Sequence, residues 1–228
     1  ARLRGTVAPT LDGASAGSIA LDLATGGLLD DAGAVAAMTA ALGSPFEVNG
    51  AAHLPVGPAG APVTLMRVEG LAASVDYRTG RLEALLAPFG PVRTDREMAS
   101  TEATWAAVRD VTGLAGREGA VWRLSLRPGD APAVAARLGD EAGADCLFDW
   151  GGGLVWAAVP EAADAHAPAL RAAVAATGGH ATLVRAPAAV RAAVPVFQPE
   201  AARLADLSRA LRARFDPAGV LNPGRMAA

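Results

Sequence analysis

The feature that most constrains this fold is a repeat of element order. Alternating and helical hydrophobic periods trace strand, helix, strand, strand, helix, strand, and then, past one linking helix, trace the same order again. In the first pass Ser18 to Leu23 alternates as a short strand. Asp30 caps an Ala-rich helix to about Leu42, and Gly43-Ser44-Pro45 stops it. Strands follow at Phe46 to Leu54 and Val63 to Glu69, then a helix from about Ala72 to Leu86 and a strand around Pro91 to Thr94. A linking helix near Ser100 to Val111 precedes the second pass. That pass predicts strand Val121 to Leu126, helix Ala131 to Leu138, and strands Asp145 to Trp150 and Gly153 to Val159. Helix Ala162 to Ala176 and strand Ala181 to Arg185 complete it.

The expected class is therefore α+β, with two ferredoxin-like βαββαβ units side by side, each an antiparallel sheet carrying both helices on one face. The segmentation expected is 1–17 irregular, 18–95 first unit, 96–120 linking helix, 121–186 second unit, and 187–228 a terminal helix and tail. The terminal helix, Pro199 to Arg214, spaces Leu204, Leu207, Leu211 and Phe215 as a stripe that calls for a packing partner.

Composition narrows the function classes. The formal charge is −3 and the 20 basic residues, all Arg, are scattered, which excludes a phosphate-binding surface for nucleic acid. The apolar runs Ala32 to Leu42 and Leu154 to Val159 are too short to span a bilayer, and no secretory signal opens the chain. One cysteine, Cys146 in an apolar run, rules out an internal disulfide and fits a reducing cytoplasm. Three isolated histidines without Cys, Asp or Glu at ligand spacing make no metal site.

Three segments could carry chemistry. Trp150-Gly151-Gly152-Gly153 could cradle phosphate, but the glycines lead into a strand where a dinucleotide fingerprint needs a helix N-terminus, so they read as a hairpin turn requiring positive φ. Gly178-Gly179-His180-Ala181-Thr182 has two readings of equal weight: a glycine that ends a helix, or a histidine at a strand mouth placed to meet a ligand. His53 and His166 have weaker claims. The tail, Phe215-Asp216-Pro217-Ala218-Gly219-Val220-Leu221-Asn222-Pro223-Gly224-Arg225-Met226, sets two successive turns that fix Asn222, an amide able to donate and accept together.

The DPxGxxNPGRM ending resembles the C-terminus of the FAD-linked oxidases related to vanillyl-alcohol oxidase. Val121-Trp122-Arg123-Leu124-Ser125, Phe148-Asp149-Trp150-Gly151-Gly152 with Leu154 and Trp156, and the Gly178 to Thr182 segment narrow the resemblance to the FAD-binding (E) subunit of bacterial glycolate oxidase. The resemblance runs from about Asp30 to the end, loosely before Val121. It implies a cap domain that closes over the isoalloxazine of FAD, the flavin being gripped mainly by an N-terminal domain that this chain does not contain.

It also implies cofactor-binding roles for Asn222 and His180; Arg123, Arg185 and Trp150 are the substrate-side candidates of the second repeat. The implied partners are a catalytic flavin subunit, an iron-sulfur subunit and a 2-hydroxy acid. The implied location is cytoplasmic, with the inner face of the membrane reached through those partners. The GDGNxH and EHG metal equipment of the catalytic relatives has no counterpart, since Gly151-Gly152-Gly153-Leu154-Val155-Trp156 and Gly179 stand there. Catalytic residues are therefore unassigned, and the fragment alone is expected to be colourless and inactive. Two rival readings are a non-catalytic ligand-binding or dimerisation module and a carboxylate-binding domain using Arg123, Arg127 or Arg185.

Overall fold

The structure, a computed structural model, describes the backbone of residues 14–22 together with residues 29–57 and 60–221. Its elements are β1 (Ala14–Asp22), α1 (Asp31–Leu42), β2 (Gly50–Leu54), β3 (Val63–Leu71), α2 (Ala72–Leu86), β4 (Val92–Asp95) and α3 (Met98–Arg109). They continue as β5 (Ala120–Ser125), α4 (Ala131–Ala142), β6 (Asp145–Asp149), β7 (Leu154–Val159), α5 (Ala167–Ala175), β8 (His180–Arg185), α6 (Ala188–Ala193) and α7 (Ala202–Phe215). The class is α+β, as the repeated element order implies. The chain divides into two compact units, residues 1–115 with 147–153, and residues 116–146 with 154–228.

In the first unit the strand order is β4-β1-β3-β2, and every neighbouring pair is antiparallel. This order places the first strand inside the sheet and the second and fourth at its flanks, the split βαβ arrangement. Side chains alternate across the sheet. His53 and Thr64 face α1, whereas Ala52 and Leu65 pack with Trp105 and Val108 of α3, joined by Leu54 and Val63. Both faces are thereby covered, one by α1 and α2 and the other by α3. Asp30 starts α1 as expected, its carboxylate accepting the Gly33 N–H at 2.7 Å.

In the second unit β7, β5 and β8 lie in that order, again antiparallel. The helices α4 and α5 pack on each other and on the strands. Trp122 and Leu124, both fully buried, face them, and the Trp122 indole N–H donates to the Ala165 carbonyl at 3.0 Å.

The boundaries depart from the sequence reading where local backbone overrides periodicity. The strand β1 begins at Ala14, inside the segment expected to be irregular, and residues 1–13 lie outside the described residues. Glu47 takes φ +48, so β2 starts at Gly50 and not at Phe46. Ala165 and His166 are left-handed, at φ +49 and +55, and α5 starts only after them, with Pro168 in its first turn. The six-residue helix α6 is too short for its period to show in the sequence. Cys146 is half-buried. The α7 stripe also departs: Leu204, Leu207, Leu211 and Phe215 are 52, 66, 58 and 79% exposed, and the helix buries no residue.

Candidate functional site

Two places in the described residues gather polar groups on a rigid frame, one in each unit. In the second unit the sheet face turned away from Trp122 and Leu124 carries a cross-strand row. Arg123 on β5 stands directly opposite Trp156 on β7 and Thr182 on β8; one step along, Ser125 stands opposite Leu154 and His180. Directly opposed Cβ atoms in such a sheet are about 4.5–5.5 Å apart and diagonal ones about 7–8 Å. Arg123 and His180 are such a diagonal pair, and both are exposed. The face thus offers a guanidinium, an imidazole, two half-buried hydroxyls and a half-buried indole within one small patch. A guanidinium can pair with a carboxylate through two parallel hydrogen bonds.

The other expected site residues are distributed as follows. Arg185, at the bulged end of the β5–β8 pairing, donates to the Arg117 carbonyl at 2.7 Å. Arg127 pairs with Asp130 at 2.7 Å, which occupies the head group. His166 caps α5, its backbone N–H donating to Asp164 at 2.9 Å. Asn222 lies outside the described residues; just before it, both Asp216 carboxylate oxygens accept N–H groups, of Val220 at 3.0 Å and Leu221 at 2.8 Å. Among the described residues no three His, Cys, Asp or Glu side chains gather as metal ligands.

The second place is the turn after β6, in the first unit. Trp150, Gly151 and Gly152 form a single 3-10 turn, all at positive φ: +52, +67 and +100. The glycines adopt the turn that their sequence implies, and β7, not a helix, follows them. Trp150 is the unexpected member. An L-residue in the left-handed region costs roughly 1–2 kcal/mol, and its indole is 62% exposed. Asp149 Oδ1 accepts the Trp150 N–H at 2.7 Å. Burial pushes the Asp149 carboxyl above its ordinary range, against the smaller opposing effects of that hydrogen bond and the charge of Arg67.

Beneath the turn lies a network that sequence reasoning missed. His53 on β2 is 1% exposed; its Nδ1 hydrogen-bonds Thr64 Oγ1 at 2.9 Å, and its Nε2 lies 3.3 Å from Asp31 Oδ1. Its ring meets that of Phe148, the residue preceding Asp149, at 5.8 Å between centroids. Thr64 is itself fully buried, so no external substrate reaches its hydroxyl. The network is structural: it fixes one face of β2 and, through Phe148, the base of the turn.

No family model matches the chain. A curated relative does: the chain is similar to glycolate oxidase subunit GlcE of Escherichia coli (strain K12), 37% identical over 109 residues. The match takes in 47% of this chain and 26% of that protein's length. No helix among the described residues is long and apolar enough to cross a membrane.

Proposed function

We propose that this chain is the cap portion of an FAD-dependent subunit in a glycolate oxidase-type complex that converts a 2-hydroxy acid to a 2-oxo acid. The observation that carries the reading is the 37% identity to the glycolate oxidase subunit over 109 residues. The polar row on the second unit supports it. Arg123 would take the substrate carboxylate, and His180 would reach a neighbouring oxygen as donor or proton carrier. Asn222 is proposed to face the flavin, with Arg185 and Trp150 lying nearer the substrate side.

The described residues do not fit the dinucleotide part of FAD. Its pyrophosphate calls for a glycine turn opening onto a helix N-terminus, and the one glycine-rich turn at hand opens onto β7. The main grip on FAD is accordingly assigned to a flavin domain outside this chain, and no step is routed through the cofactor. The proposal extends to a catalytic flavin subunit and an iron-sulfur subunit as partners, to a cytoplasmic location, and to inactivity of this chain by itself.

The test is to express the full-length protein with its genomic neighbours and change Arg123 to Ala. A lost carboxylate contact raises the KM for glycolate by roughly 10- to 100-fold, the equivalent of about 1.5–3 kcal/mol. An unchanged KM overturns the assignment. In the same preparation, unchanged flavin content and turnover for Asn222→Ala would remove that residue. The alternative, a non-catalytic ligand-binding or dimerisation module, draws on the exposed stripe of α7. A purified chain that is dimeric at micromolar concentration, with full-length protein that never acquires flavin, would favour it.

A further inference from the structure

The helix α7 is amphipathic, and no described residue covers its apolar side. Leu204, Leu207, Leu211 and Phe215 recur every three or four residues, so at about 100° per residue they share one narrow stripe, roughly 16 Å long. All four are more than half exposed, and the helix buries no residue. The stripe has charged borders on both sides: Arg203 and Arg214 flank it along one edge and Arg212 along the other. Arg209 and Asp206, on the back of the helix, pair with each other, whereas the three bordering guanidinium groups hold no carboxylate among the described residues.

These borders specify the surface that fits the stripe. The helix carries four arginines and one aspartate, net +3, within a chain of net −3, so its charge opposes that of the remainder. Two copies of the helix packed face to face would set like charge against like. The open sheet face of the same unit displays Arg123 and His180, both exposed, and an apolar stripe laid over them would strip both of water. A helix lying on a bilayer keeps a strongly charged face toward water, but the back of α7 is mostly alanine: Ala202, Ala205, Ala210 and Ala213. What fits is a protein groove, apolar along its floor and lined with carboxylates on both rims, the arrangement in which an amphipathic helix is held by anchors one turn apart.

Position along the chain gives the groove an address. Asn222 follows Phe215, the last residue of α7, after one short turn, and Asp216 folds that turn by accepting the Val220 and Leu221 N–H groups at 3.0 and 2.8 Å. A surface that receives Asn222 therefore lies against the end of the helix. We propose that α7 is the docking helix of this chain, seated in a carboxylate-rimmed apolar groove on the flavin domain of the same protein. The address on the flavin domain rests on the function proposed above; the apolar, acidic character of the groove rests on the helix alone.

The experiment reads thiol alkylation of Leu207→Cys, resolved by peptide mass spectrometry, in this chain by itself and in the full-length protein. Both this position and the control, Ala213→Cys on the back of the helix, are exposed, so neither substitution threatens folding. In the full-length protein the Leu207→Cys rate falls at least about tenfold, because a covered thiol reacts only when its cover opens. The control reacts alike in both. Adding Arg203→Glu, Arg212→Glu and Arg214→Glu raises the full-length Leu207→Cys rate about fivefold or more, since the rims then repel the helix.

An equal Leu207→Cys rate in chain and full-length protein overturns the proposal, as does protection that charge reversal leaves intact. So does protection that appears only with the genomic neighbours, which marks a partner subunit, or only on phosphatidylglycerol vesicles, which marks lipid. Protection of the chain alone that grows with its concentration marks self-association and overturns it too. Flavin content of the same preparation separates this claim from the function. Flavin-loaded protein with a fast thiol sinks the docking and keeps the function; protein that never acquires flavin sinks the function, and with it the flavin domain as the address of the groove.

Discussion

Trp122→Phe tests whether the second unit hangs on one buried indole. Trp122 is fully buried, its N–H donates to Ala165 at 3.0 Å, and the Arg171 guanidinium lies 5.5 Å from its ring. Phenylalanine keeps a ring but removes the donor, so the Ala165 carbonyl loses its partner in a water-free site, at about 1–3 kcal/mol. The smaller ring forfeits about 1 kcal/mol of apolar burial, and the weaker cation–π contact a further ~0.5 kcal/mol. The sum is about 2.5–4.5 kcal/mol, or a fall in melting temperature of roughly 5–18 °C for a chain of this size. Ala165 is also one of the two left-handed residues that set the start of α5, so the loss should loosen that helix first. Thermal unfolding by circular dichroism gives the midpoint, and amide hydrogen exchange locates the weakening. A loss below 1 kcal/mol, or weakened protection outside α5 and its strands, would refute the reasoning.

Two further substitutions probe backbone and charge. Gly119, at φ +88, abuts Val159, Pro160 and Glu161, so that a Cβ would strike backbone atoms, among them Pro160 C at 2.8 Å and Glu161 N at 2.9 Å. Gly119→Ala should therefore cost more than about 3 kcal/mol or abolish folding, and a midpoint shift of only a degree or two would contradict the close approach of the chain entering β5 to the end of β7. Asp149→Asn bears on pH. Because burial raises the Asp149 pKa in the folded state, its contribution to stability is fully present below the unfolded value near 3.8 and is lost as pH rises through the folded one. Asparagine can still accept the Trp150 N–H, so the variant should gain in stability relative to the parent as pH rises from 3 to 7. A parent-to-variant difference in urea midpoint that does not change across that range would show the carboxyl to be unperturbed.

Much of the frame was legible because local and global preferences agree in it. The Asp30 cap, the break at Gly43 to Pro45 and the alternation of Val121 to Ser125 each specify their element without help from distant residues. The polar row was half legible: Arg123 and His180 were both singled out, but only the register of β5 against β8 makes them neighbours. The His53 network was not legible. Its three members come from α1, β2 and β3, and none carries a local pattern that distinguishes a buried, bonded histidine from a solvated one. Nor could alternation reveal the strain at Trp150, since the Trp-Gly-Gly-Gly string explains positive φ at its glycines and leaves the tryptophan to tertiary packing. The stripe of α7 was read correctly as apolar, and the expected partner for it is not among the described residues.

The helix α3 has a consequence for how the two repeats can change over time. By roofing the outer sheet face of the first unit with Trp105 and Val108, it turns Ala52, Leu65 and their neighbours into interior positions, where a polar substitution is penalised by lost burial. The corresponding face of the second unit displays Arg123, Thr182 and His180, where polar exchange carries little folding cost. A duplicated architecture has thereby been split in temperament. One copy is conservative and the other free to experiment, and a deep mutational scan of the intact protein should find tolerance concentrated on the second sheet except where chemistry forbids it.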